Sequence, residues 1–153
     1  RESYALDIIA AILGRGQSGW MFDQIRNKRG LAYQVGVNNE TELDYGMFAI
    51  YTNLDKKNIE KAKKIIFEQF ERLKRVDEND IEESKTFLEG NHALQMEDNS
   101  HNADQLAFWE TIKDAKLAES YLKMIRKVTV DDVKRVAGRY LTKNYTLAVI
   151  EQE

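Results

Sequence analysis

Between Leu31 and Thr52 the apolar residues stop recurring at helical spacing, and this switch of period most limits what the chain can fold into. Leu31, Tyr33, Val35 and Val37 alternate with Ala32, Gln34, Gly36 and Asn38, and a period of two marks a strand. Met47 to Thr52 is a second β-rich run. The polar residues Asn39 to Tyr45 join the two, so an antiparallel hairpin with a long loop is expected.

Helical spacing holds on both sides of that hairpin. Tyr4, Ile8 and Ile12, with Ala5 and Ile9 beside them, predict a helix over residues 3 to 13 that stops at Gly14. Met21, Phe22 and Ile25 form one face of a second helix, which starts near Ser18 and ends at Gly30. Beyond Asp55, a plausible N-cap, the stripe Ile59, Ala62, Ile66, Phe70 and Leu73 predicts a long amphipathic helix. Helical patterns continue through Ile81, Phe87 and Leu88, through Leu106, Phe108 and Trp109, and through Leu117, Tyr121 and Ile125. Thr129 with Asp132 resembles a capping box opening a last helix, and Thr146 to Ile150 reads as a closing strand. The expected fold is one α+β domain over residues 1–153, a small and mostly antiparallel sheet covered by helices. Three strands are few for so much helix, and sheet edges are normally paired or covered. A first strand lying upstream of residue 1 is therefore expected to be missing, and the sequence reads as a fragment of a longer chain.

Composition removes several chemistries. No cysteine occurs in the 153 residues, which excludes disulfides, thiolate metal sites and a cysteine nucleophile. A formal charge of −3 offers no basic excess for a nucleic-acid partner. The apolar run Ile8 to Leu13 is too short to cross a bilayer, and no signal-peptide pattern follows Arg1 and Glu2. The expectation is a cytoplasmic protein without a membrane partner, periplasmic and organellar compartments staying open.

The remaining motifs are weak. Gly14, Gly16 and Gly19 match a dinucleotide fingerprint, but the run before them has helical period and the strands after them look like a hairpin, so a loop between helices is the better reading. His92 and His101 are the two histidines, and Glu89 with His92 makes an isolated Glu-x-x-His pair, far short of a di-iron set or a four-ligand zinc site. Ser18 has Gly16 two residues before it but Trp20, not glycine, two residues after it, so the serine-nucleophile pattern is incomplete, and it has no nameable partner. The acid pairs Glu82–Glu83 and Asp131–Asp132 sit where helix dipoles favour them.

One stretch is more specific. Leu13-Gly14-Arg15-Gly16, then Ser18, Phe22 and Ile25-Arg26-Asn27-Lys28-Arg29-Gly30-Leu31-Ala32-Tyr33, resembles the pitrilysin-type (insulinase-type) zinc metallopeptidases, which include mitochondrial processing peptidase, in their zinc-free C-terminal-type domain. The order of the later elements is similar too, so the likeness spans almost the whole chain. The resemblance implies the LuxS/processing-peptidase-like metallohydrolase fold. It also implies a clamshell in which another domain holds zinc through His-x-x-Glu-His while this domain faces the unfolded peptide substrate. By motif match, Arg26 and Tyr33, with Phe22 beside them, would contact that substrate, and no catalytic or metal-binding residue is expected within these 153 residues. A guanidinium or phenol opposite the metal could donate to the oxyanion or to a neighbouring peptide carbonyl. The plainer alternative is that Arg26 pairs with a carboxylate and Tyr33 fills the sheet–helix core.

Trp20, and Arg15 inside the glycine loop, depart from the usual pattern and could alter the chamber wall. The expected function is the substrate-binding, non-metal domain of a zinc metalloendopeptidase, inactive alone. The expected partners are a zinc-bearing domain or subunit and a homo- or hetero-oligomer. A catalytically silent core-subunit-like module of the same fold is the alternative.

Overall fold

A computed structural model describes residues 2–151. Helix α1 (Glu2–Gly14) is the spine of the domain, because Ala5, Ile8, Ile9, Ala11, Ile12 and Leu13 are all buried and leave it little polar face. A helix apolar on most sides must be enclosed by other elements. One side is covered by the antiparallel hairpin of β1 (Ala32–Thr41) and β2 (Gly46–Leu54). The others are covered by α3 (Glu78–Gln95), α5 (Tyr121–Arg126) and α6 (Val130–Tyr140), with α2 (Ile59–Leu73) packed against α6. The core joins Ile8, Ile12 and Met21 to Ile65, Leu73, Ile81, Ile125, Val133 and Val136. The result is α+β with a two-stranded antiparallel sheet.

Local signals place the helix ends. Asp77 and Asp80 form a capping box at the start of α3, and Thr129 and Asp132 form the expected one at α6. The far end of α6 returns to the start of α1, where Arg135, Arg139 and the Tyr140 hydroxyl all donate to the Glu2 carboxylate at 2.7–3.0 Å. The α2 stripe is rotated slightly from the sequence reading: Ala62, Ile65, Gln69 and Leu73 are buried, while Ile66 and Phe70 pack at its margin. Helix α4 (Asn99–Ile112) has no buried residue.

Three expectations change. The predicted second helix is a 3₁₀ turn at Gly16–Ser18 followed by a π-helical turn at Phe22–Asn27. The hairpin loop is short, because β1 runs on to Thr41 and pairs there with Gly46. The closing strand at 146–150 does not form: the segment has no ladder, and Tyr145 rests instead on Phe67 of α2 while Lys56 holds Glu151 at 2.9 Å. A strand needs a neighbouring backbone, and among the described residues β1 and β2 pair only with each other.

The end of α1 meets β1 closely. A Cβ on Gly14 would lie 2.7 Å from the Val37 Cβ and 3.2 Å from its backbone nitrogen. Gly14→Ala is therefore expected to destabilise the domain by about 2 kcal/mol through overpacking. A urea midpoint unchanged by the substitution would contradict this contact.

Candidate functional site

The chain between α1 and β1 carries the residues singled out in the sequence. Arg15 follows α1, and its carbonyl accepts from the backbone nitrogens of Ser18 (3.2 Å) and Gly19 (2.9 Å), closing the glycine loop on itself. The Arg15 side chain turns inward and is buried; its guanidinium donates to Ser84 Oγ at 3.0 Å and pairs with Glu83, both on α3. Trp20 is also buried, with the Arg72 guanidinium of α2 stacked 3.7 Å from its ring centre, a cation–π contact. The two departures from the usual pattern are thus absorbed in the domain's own packing. Among the described residues no parallel strand–helix–strand unit surrounds the glycines, which speaks against the dinucleotide reading.

The π-turn then aligns Phe22 with Arg26. A π-helix has a wider turn than an α-helix, shown here by Lys28 N bonding Asp23 O at 2.9 Å, so side chains four apart lie nearly above one another. The Arg26 guanidinium sits 4.8 Å from the Phe22 ring centre. Phe22 is half-buried and Arg26 exposed. The neighbouring charges are already engaged: Lys28 holds Asp23 at 2.7 Å, keeping that exposed carboxyl below its usual range, and Arg29 donates to Gln24. Among the described residues no carboxylate lies within ion-pair distance of Arg26.

Gly30, at φ +58°, closes the turn with its nitrogen on Arg26 O at 2.9 Å, a left-handed conformation that costs glycine little. The chain then enters β1 with a register shift between Ala32 and Gln34. Ala32 is buried in the core and Val35 packs against it, so simple alternation would send Tyr33 into the core as well. The bulge inserts one residue and turns Tyr33 outward, where it is 88% exposed. Tyr33 makes no hydrogen bond to Phe22 or Arg26; the structure stacks the latter two and leaves Tyr33 on the adjoining sheet. Sequence spacing missed the bulge, and the sole trace of it is a small alanine at a position that alternation would have turned to solvent.

The fit of this chain to zinc is poor. Among the described residues no group of three or more His, Cys, Asp or Glu side chains could hold a metal ion. His92 stacks on Tyr121 with ring centres 5.4 Å apart, and burial lowers its pKa, the charge of His101 adding to the effect. Glu89 is occupied by Arg126 at 2.7 Å. What the site offers is two exposed donors, a guanidinium and a phenol, beside an aromatic ring. No helix among the described residues is long and apolar enough to cross a membrane.

A family model described as "Peptidase M16 inactive domain" matches residues 1–88. An uncharacterized zinc protease of Rickettsia felis is 28% identical over 153 residues, covering 96% of this chain and 36% of that protein. The structure of a protease from Helicobacter pylori superposes with a TM-score of 0.77 at 23% identity, over 92% of this chain and 35% of that one. The inactive peptidase domain of a Bordetella parapertussis protein gives 0.79 at 21% identity, over 94% and 80%. The chain therefore spans about a third of the length of the curated relatives it matches. With a matching model over more than half its residues, this chain belongs to the Peptidase M16 inactive-domain family.

Proposed function

We propose that this domain is the non-metal wall of a zinc-dependent peptidase and grips unfolded peptide with Arg26, Tyr33 and Phe22. The observation that carries this reading is the pairing of an unneutralised guanidinium, stacked on Phe22, with a tyrosine that a bulge aims into solvent. Among the described residues neither has a task in the core or in an ion pair, so both plainer roles considered for them are unsupported. A guanidinium and a phenol both donate hydrogen bonds, and a peptide in extended form presents carbonyl acceptors along its length. The metal-bearing half belongs, in this reading, to the longer parent chain or to a partner subunit, consistent with relatives named zinc proteases and about three times this length. The same outside sequence would supply the strand expected ahead of residue 1, beside the unpaired edge of the hairpin.

Two measurements test the division of labour. The 153-residue chain incubated with zinc and a flexible peptide is expected to show no turnover, and turnover lost on adding a chelator would overturn the assignment. In the assembled peptidase, Arg26→Ala and Tyr33→Phe are each expected to lower kcat/KM by about tenfold to a hundredfold with zinc content unchanged, as loss of one charged or phenolic donor does. Wild-type kinetics in both variants would remove these residues from the site.

A further inference from the structure

Two cationic side chains at the end of the π-turn reach back to partners five residues earlier. Lys28 Nζ holds Asp23 Oδ2 at 2.7 Å, and Arg29 Nη1 donates to Gln24 Oε1 at 2.6 Å and to the Gln24 carbonyl at 3.0 Å. Gln24 Nε2 in turn donates to Asp23 Oδ2 at 2.9 Å, which joins the four side chains into one network. That spacing is foreign to an α-helix, where five residues turn about 500° and leave the two side chains about 140° apart around the axis. A π-turn winds less per residue and brings such pairs toward one face. The backbone takes the same five-residue step, with Lys28 N on Asp23 O at 2.9 Å. Side chains and main chain therefore select the same register.

The flanks of the turn are pinned as well. Trp20 and Ile25 are buried, and the Arg72 guanidinium lies 3.7 Å from the centre of the Trp20 ring. The exposed Asp23 carboxyl is held below its usual range chiefly by the bond from Lys28, with the charge of Arg72 adding to it. Downstream, Ala32 is buried beside the bulge that turns Tyr33 outward. A π-turn is the rarer geometry, so something beyond the backbone ladder has to hold it open against an α-turn. Closing would swing Arg26 to the other flank of Phe22. It would also pass one spare residue toward β1, where a slip of one residue reverses the face of every side chain, Tyr33 included. The five-residue pairing further explains why Arg26, unlike Lys28 and Arg29, has no acceptor among the described residues: five positions before it stands Met21, buried and uncharged.

We propose that Asp23 and Gln24, gripping Lys28 and Arg29, are positioning residues that lock the π register and so keep Arg26 on Phe22 and Tyr33 facing outward. The proposal rests on the reading of Arg26 and Tyr33 as peptide contacts and assigns the groups that aim them. Asp23 and Gln24 themselves touch no substrate. Each contact is exposed and shifts the balance between the two registers by about threefold, as surface pairs do, so the two together set a preference of about tenfold.

In the assembled peptidase, the double variant Asp23→Ala with Gln24→Ala is expected to lose about tenfold in kcat/KM. Asp23→Lys with Lys28→Asp, which reverses the ion pair, should recover most of what Asp23→Lys alone loses, and a reversed pair no better than the single variant counts against the lock. A residue that acts through others has nothing left to contribute once they are gone. The same double alanine variant should therefore cost less than about twofold in an Arg26→Ala, Tyr33→Phe background, and a loss there equal to that in the wild-type background overturns the proposal. Hydrogen exchange over residues 22–31 reads the register itself: the double variant is expected to exchange about tenfold faster, and unchanged protection overturns the lock whatever the kinetics. If Arg26→Ala and Tyr33→Phe together leave kcat/KM at its wild-type value, the peptide grip falls, and the exchange result then decides by itself whether the lock stands.

Discussion

Replacing Arg15 by alanine is expected to cost the domain about 3 kcal/mol of stability, because a buried guanidinium bonded to a charged group and a buried hydroxyl is worth about 1.5–3 kcal/mol per charged bond before its packing is counted. Arg15 reaches across the core boundary from the loop after α1 to Glu83 and Ser84 on α3 and is only 8% exposed. The loss has a ceiling. Glu83 is about half exposed, so its carboxylate regains water when the arginine is removed, and Ser84 keeps its bond to the Asp80 carbonyl at 2.8 Å. Arg15→Lys should recover roughly half of the loss, since one ammonium cannot serve both partners in the fork geometry of a guanidinium. Urea unfolding of the two variants, with an unchanged slope, measures both numbers. A cost below about 1 kcal/mol for the alanine variant would show that the clamp is not a stabilising contact. The same arginine holds the loop that leads into Phe22 and Arg26, so loosening it should also weaken the peptide grip proposed for them.

The Arg15 clamp illustrates which parts of this molecule were legible in the sequence. Helix positions follow from local spacing and were readable: α1 was expected over 3–13 and runs Glu2–Gly14, and the Thr129–Asp132 box stands where the residues put it. Caps and stripes involve neighbours a few residues apart, so the information is contained in the local string. Contacts that cross the chain are different. Nothing beside Arg15 or Trp20 points to Glu83 or Arg72, and both residues were accordingly expected to alter an outer wall when each is bound inward. Strand structure fails for the same reason: Thr146 to Ile150 has strand composition but no backbone to pair with among the described residues. Tyr33 is the instructive case. Alternation with Val35 and Val37 gave it a core-facing phase, and the likeness to a known motif gave it a substrate-facing one; a single inserted residue at the bulge sends it outward.

Asp7 supplies the second large effect, and its sign is opposite to that of most carboxylates. It lies among α1, β1 and α5, mostly buried, accepting from Asn39 Nδ2 at 2.7 Å and from the Tyr121 hydroxyl at 3.3 Å. Among the described residues no cation pairs with it; the titratable neighbours there are Tyr4 and Tyr121, with His92 stacked behind Tyr121. Burial outweighs the two donated bonds and pushes its pKa up to about 6, and its charge in turn raises the pKa values of both tyrosines, which burial already lifts. A folded-state pKa above the unfolded value near 3.8 means that the folded domain binds the extra proton between about pH 4 and 6. Asp7 therefore contributes stability at low pH that is lost as pH rises through 6, amounting to about 3 kcal/mol for a shift of two units. Asp7→Asn removes the charge while its amide can still accept from Asn39 and donate to the Tyr121 oxygen. The variant is expected to exceed the wild type by about 2 kcal/mol at pH 7, and the two should converge near pH 4. Urea midpoints across this range, taken as differences so that other carboxylates cancel, read the effect directly. A variant weaker than the wild type at pH 7 would mean that the hydrogen bonds to Asn39 and Tyr121 outweigh desolvation, making this cluster a tie between α1, β1 and α5 rather than a buried charge tolerated at a cost.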